Sequence, residues 1–147
     1  MARYRADIVS PQPIEQVFDL FARFERISEW DPGVTRARRL TAGEPGQGTE
    51  YEVVVSTLGV KTPLIYRVIA FDPPRRIVLE AQNKHIRSLD TVTCRARSDG
   101  GTDLVYDALL ELKGPRKIFE ASMKVSFQVI GRKAEDGLRR AVGASPR

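Results

Sequence analysis

Hydrophobic positions along this chain follow one of two periods, two or about 3.6, and each block keeps to one of them. Tyr4, Ala6 and Ile8 alternate with Arg3, Arg5 and Asp7, which predicts a half-buried first strand. Ser10-Pro11-Gln12-Pro13 breaks it, with Ser10 as the candidate cap of the next element. Ile14, Val17, Phe18 and Phe21, then Phe24 and Ile27, recur at helical spacing, so two short helices are expected between Pro13 and Glu29. Trp30-Asp31-Pro32-Gly33 ends them, because a proline disfavours the helical conformation in the residue before it.

The period then changes to two. Val34 to Leu40 reads as an edge strand because of its arginines. Thr49 to Thr57 carries Tyr51, Val53 and Val55 on one face and Glu50 and Glu52 on the other. Gly59 marks a turn, Leu64 to Phe71 is the next strand, and Asp72-Pro73-Pro74 closes it. Ile77, Leu79 and Ala81 belong to another strand, and Ile86 to Arg97 to a long alternating one. Asp99-Gly100-Gly101-Thr102 signals a hairpin into a last strand, on which Leu104, Tyr106, Ala108, Leu110 and Leu112 share a face. Successive hairpins predict an antiparallel meander.

The final block returns to helical period. Gly114-Pro115 opens it and Gly143 and Pro146 close it, leaving about 27 residues that would span roughly 40 Å. Phe119, Met123, Phe127, Ile130, Ala134, Leu138 and Ala141 form an apolar stripe, with Lys117, Lys124, Gln128, Arg132 and Arg139 opposite. Only the sheet is large enough to cover such a stripe. Gly137 lies on the stripe, where glycine costs a helix about 1 kcal/mol relative to alanine, so a close backbone approach is expected there. Ile118, Val125 and Val129 make a second stripe, which fits either a homodimer contact or scattered surface groups.

The order of strand, two short helices, six strands and one long helix resembles the START-like, Bet v 1-like superfamily, also called the SRPBCC or helix-grip fold. The segment Pro11 to Phe21 followed by Glu29-Trp30-Asp31-Pro32-Gly33-Val34 is similar to the family's opening helices and Trp-containing junction. Asp72-Pro73-Pro74-Arg75-Arg76 is similar to its mid-sheet turn, and Gly100-Gly101-Thr102 and Gly114 also match. The resemblance covers nearly the whole chain and is strongest to polyketide cyclase/dehydrase-like proteins. It implies an α+β fold: a curved seven-stranded antiparallel sheet with a long C-terminal helix over a cavity for apolar or aromatic molecules. Members of this superfamily include lipid carriers, cyclases and partner-binding proteins, so fold alone does not choose among them.

At 147 residues and 41% hydrophobic, the composition fits one folded domain. No stretch approaches the roughly 20 apolar residues of a membrane span, and no apolar signal region follows Met1, so the cytoplasm is the expected location. One Cys (Cys94) and one His (His85) exclude an internal disulfide and give no basis for a metal site. No cofactor motif is present: the glycine-rich segment Gly43 to Gly48 precedes a strand rather than a helix. The segment Arg116 to Arg147 has eight Lys/Arg against three Asp/Glu, so it accounts for the whole net charge of +5. Basic segments meet nucleic acid or anionic lipid, but a solvated face whose last-turn cations complement the helix dipole explains the same charge, and nucleic acid is not the expected partner.

Alternation places the candidate chemistry. With Arg87, Thr91, Thr93, Arg95 and Arg97 outward, Ser88, Asp90, Val92 and Cys94 face inward, along with Tyr106 and by the same rule Tyr51 and Tyr66. A carboxylate in an apolar interior has its pKa raised and suits general acid or base work; the plainer reading is a hydrogen-bonded Asp90 that only fixes the sheet. A bulge would reverse the face. Trp30, Tyr51, Tyr66, Ser88, Phe119, Met123, Phe127 and Ile130 are the candidate ligand contacts, and Asp90 and Tyr106 the candidate catalytic pair. Core packing explains the tyrosines and the helix stripe as well, and Trp30 also fits a junction anchor. His85 falls in a turn and Cys94 in the core, neither with a catalytic partner. Three functions fit: binding of an apolar small molecule, a cofactor-free cyclase or dehydratase using Asp90, and a protein or RNA partner held by Lys124, Arg132 and Arg139.

Overall fold

A computed structural model describes residues 1–57 and 59–147, with residue 57 described by its backbone alone. Strand β1 (Ala2–Ser10) leads into helix α1 (Ile14–Ala22) and a 3-10 helix (Phe24–Glu29). Strands β2 (Val34–Arg39), β3 (Glu50–Thr57), β4 (Val60–Asp72), β5 (Arg76–Gln82), β6 (Ile86–Ala96) and β7 (Thr102–Leu112) come next. A second 3-10 helix (Gly114–Phe119) precedes helix α2 (Glu120–Ala141).

The strands form one curled antiparallel sheet in the order β1-β7-β6-β5-β4-β3-β2. β2 to β7 run as the expected meander, β1 adds beside β7, and the arginine-bearing β2 is an edge. On that edge Arg38 Nε donates to Glu52 Oε1 at 3.0 Å. Register shifts interrupt β2–β3 near Val34 and β4–β5 near Val68, but β6 pairs with both neighbours without one. The inward face of β6 is therefore the one that alternation predicts.

Helix α1 and the 3-10 helix fill one end of the concave face with Val17, Phe18, Leu20, Phe21, Phe24 and Ile27, all buried. Each large apolar side chain buried there contributes about 1.5–3 kcal/mol. Ser10 does not cap α1, whose N-cap is Pro13. Its hydroxyl instead donates to Val142 O at 2.6 Å and accepts from Gln12 N at 3.0 Å, tying the two ends of the chain together.

The long helix departs most from expectation. Gly114, at φ +59°, and Pro115 start the chain in a 3-10 turn, so the α-helix proper has 22 residues. It lies along the edge strand β1 rather than across the middle of the sheet. Its contacts advance in step with the strand: the Met1 ammonium meets Glu120 at 2.7 Å, Gln128 donates to Arg3 O at 2.8 Å, and Tyr4 Oη donates to Glu135 Oε1 at 2.6 Å. Farther along, Arg139 donates to Asp7 O at 3.2 Å. Helix and strand thus run parallel, and their lengths match at about 33 and 30 Å. The expected close approach occurs: a Cβ on Gly137 would fall 1.8 Å from Trp30 O. Gly131 is a second such site, where a Cβ would fall 2.3 Å from Tyr4 Cγ.

Because β1 supports the Gln128–Gly131–Glu135 side of the helix, the apolar stripe is covered only near its end. Leu138 is buried and Ala134 and Ala141 are part-buried, whereas Phe119 is 58% exposed and Ile130 36%. Met123 and Phe127 are part-exposed. Arg139, placed opposite the stripe by its spacing, is folded back onto buried Glu135 at 2.8 Å and is not a free surface cation.

Candidate functional site

The uncovered stretch of α2 lies beside the concave face, where β4, β6 and β7 bring polar groups together. Ser88 pairs in register with Ala81 and Leu110, and Asp90 with Leu79 and Ala108. Both are buried, as alternation predicts. Tyr106 Oη donates to Asp90 Oδ2 at 2.5 Å, and Tyr66 Oη and Ser88 Oγ share a hydrogen bond at 2.8 Å.

Among the described residues Asp90 has no cation partner. Burial pushes its carboxyl up to about 7, partly opposed by the Tyr106 hydrogen bond and reinforced by the negative charges of Asp31 and Asp107. Burial likewise raises Tyr66 and Tyr106 above the ordinary phenol range, with Asp90 adding to both. Asp31 is the member of this group that sequence reasoning missed. Its carboxyl accepts from Gly33 N at 2.9 Å, burial raises its pKa, and it acts electrostatically on Asp90, Tyr66 and Tyr106. It lies in the junction after the 3-10 helix, where no period indicates which way a side chain faces. The only signal was its place beside Trp30.

Aromatic rings surround the polar groups. Tyr106 stacks edge-on against Trp30 at 5.5 Å and tilts against Phe21 at 5.9 Å. Phe24 lies 5.3 Å from Tyr66 and 5.9 Å from Tyr51. Trp30 is buried, and its indole N–H has no hydrogen-bond partner among the described residues. Tyr51 is fully buried and donates to Ala22 O at 2.5 Å, which pins the end of α1 to the sheet. Among the sequence candidates, Trp30, Tyr66, Ser88, Asp90 and Tyr106 form one connected group. Tyr51 joins it as the cross-strand partner of Tyr66 and through Phe24, whereas Phe119, Met123, Phe127 and Ile130 stand apart on the C-terminal helical segment. Ser126 is exposed, His85 lies in the β5–β6 turn, and buried Cys94 has its thiol pushed up to about 12.

Two surface pockets lie elsewhere. One is lined by Asp136, Arg139, Arg140 and Arg147 at the C-terminal end of α2, the other by Ile65, Arg67, Ile69 and Glu80 on the outer face of the sheet. Among the described residues no group of three or more His, Cys, Asp or Glu side chains is placed to hold a metal ion, and no helix is long and apolar enough to cross a membrane.

Comparison with solved structures agrees with this architecture. A protein from Thermus thermophilus superposes with a TM-score of 0.68 at 20% identity, over 95% of this chain and 98% of its own. A START superfamily protein from Mycobacterium smegmatis gives 0.65 at 16% identity, over 92% and 99%. Ara h 8.0201 gives 0.60 at 15% identity, over 92% and 96%. These likenesses show a shared Bet v 1/START fold. No curated protein matches the sequence. The family described as polyketide cyclase/dehydrase and lipid transport matches residues 1–143, and this chain belongs to it.

Proposed function

We propose that this protein binds an apolar or aromatic small molecule against the concave face of its sheet, beneath the N-terminal half of α2. The observation that carries this reading is the uneven cover of that face. α2 buries Glu135, Gly137 and Leu138, whereas between Glu120 and Ala134 none of its residues is buried. Facing residues Tyr106, Ala108, Leu110 and Ile86 are also part-exposed, although their strands are central or next to the edge. Inward-facing apolar groups left open in this way are what a ligand would cover. The Trp30 N–H beside Tyr106, without a partner among the described residues, supports a ligand that carries a hydrogen-bond acceptor. The test is titration of purified protein with a fluorescent fatty acid or a polycyclic aromatic probe. Saturable uptake that Phe127→Asp and Leu110→Asp weaken is expected. Uptake indifferent to both substitutions would place the ligand elsewhere and overturn the reading.

Asp90 favours a second reading. A buried carboxyl that titrates near neutrality, 2.5 Å from a phenol, suits a general acid or base for enolisation or dehydration without a cofactor. A polyketide-like substrate would be the one to assay, and an Asp90→Asn rate equal to wild type would remove Asp90 from the chemistry.

A further inference from the structure

We propose that the start of the C-terminal helical segment, together with the β5–β6 turn, docks on an anionic lipid surface. Ile118 is 79% exposed, Phe119 58%, Val125 71% and Val129 52%. These large apolar groups lie within about three turns of one another, where a solvated helix would carry polar side chains.

The same stretch is densely cationic. Arg116, Lys117, Lys124, Arg132 and Lys133 are exposed, and among the described residues none of them pairs with a carboxylate. Elsewhere many arginines are paired, among them Arg3 with Asp107, Arg38 with Glu52, Arg75 with Asp72 and Arg87 with Glu80. Those without a carboxylate partner among the described residues, such as Arg36, Arg67, Arg76 and Arg95, are spread over four strands and not gathered on one short segment. Glu120, the one acid between Arg116 and Lys133, is taken up by the Met1 ammonium and by Leu112 N. A second element adds to the patch. Lys113 N donates to His85 O at 2.7 Å and Lys113 Nζ to Gln82 Oε1 at 3.0 Å, so the β5–β6 turn with exposed Lys84 lies beside the 3-10 helix.

Apolar side chains interleaved with uncompensated cations fit a surface that offers acyl chains and anionic headgroups together. A nucleic acid would use the cations but leave Ile118, Phe119 and Val125 in water. A second copy of the chain would bring like charges into contact. The uncovered stripe begins at Phe119, the last residue of the 3-10 helix, and runs on into α2, so docking here would set the open side of the concave face against the bilayer.

The test is flotation of the full chain with vesicles of phosphatidylcholine alone and with phosphatidylglycerol at roughly one lipid in three. Binding to the anionic vesicles only is expected, weakened by salt. Each of Lys117→Gln and Lys124→Gln should lower the partition coefficient about fivefold, and Ile118→Asp should abolish flotation. All three positions are exposed, and thermal melts would establish that the variants remain folded. Failure to float, or flotation unchanged by the three substitutions, overturns the proposal. So does light scattering that shows a dimer broken by Val125→Asp while vesicles remain unbound. Salt-sensitive RNA binding lost with Lys124→Gln, in the absence of vesicle binding, would assign the patch to nucleic acid instead.

Discussion

Asp90 is buried with a phenol as its hydrogen-bond partner and, among the described residues, no compensating cation, so its protonation is linked to folding. Its pKa in the fold, about 7, lies above the ordinary 3.8. The stability that its protonated form contributes is fully present below the ordinary value and is lost as pH rises through the folded value. Asp90→Asn keeps the shape and never charges. Urea unfolding should therefore find the variant more stable than wild type at about pH 8, by on the order of a few kcal/mol, with the gap closing toward about pH 4. A gap independent of pH would mean that Asp90 titrates in the fold at its ordinary value, with no shift. Tyr106→Phe tests the same pair from the other side. The Tyr106 hydrogen bond lowers the Asp90 pKa, so its removal should move the carboxyl titration upward in a carbon-13 NMR experiment. A downward move would show that Tyr106 is not the donor.

Helix α2 is positioned by its small residues. In most helices Gly→Ala adds about 1 kcal/mol of stability. At Gly137 the added methyl would meet Trp30 O at 1.8 Å, a backbone atom that cannot rotate away. Gly137→Ala should destabilise the protein by about 1–3 kcal/mol, as overpacking does, and lower the midpoint of thermal unfolding. A stabilised variant would mean that helix and junction are farther apart than described. Gly131→Ala meets the Tyr4 ring, a side chain that can shift, so a smaller loss is expected. The close approach at Gly137 was expected from the sequence, because a glycine on an apolar stripe gives up both helix propensity and buried area unless another backbone needs the space. Gly131 lies off the stripe and carried no such signal; only the parallel run of α2 along β1 brings it onto Tyr4.

For the molecule as a whole, the two halves of α2 should behave differently. The C-terminal half is held by Leu138, by Gly137 against the junction, and by the Tyr4–Glu135–Arg139 hydrogen bonds. The N-terminal half is held by Glu120 and Gln128 at its margin, with its apolar side chains uncovered. Amide hydrogen exchange in the ligand-free protein should be faster from Glu120 to Ile130 than from Ala134 to Ala141, and an apolar probe that binds beneath the helix should slow the first segment. Equal protection in both segments would contradict the half-held helix.

Much of this was legible because period and burial are coupled. Alternation placed Ser88, Asp90 and Tyr106 on the inward face, and no bulge in β6 reversed it. Helical spacing identified the apolar side of α2 and turn residues marked the hairpins, so the element order and the fold were within reach of local patterns alone. What local patterns lack is information about partners distant in the chain. The stripe on α2 specified an apolar face, but not that β1 would support a different side of the helix and leave Phe119 and Ile130 uncovered. Asp31, in a segment without period, joined Asp90 only when the junction folded over the sheet. Arg139 read as a surface cation until Glu135 was buried beside it. The sequence by itself determined the elements and their faces, because side-chain period is a property of neighbouring residues. The tertiary structure alone decided how far α2 covers the sheet and which buried groups meet there, because those contacts join residues a hundred or more positions apart in some cases and leave no mark on the local pattern.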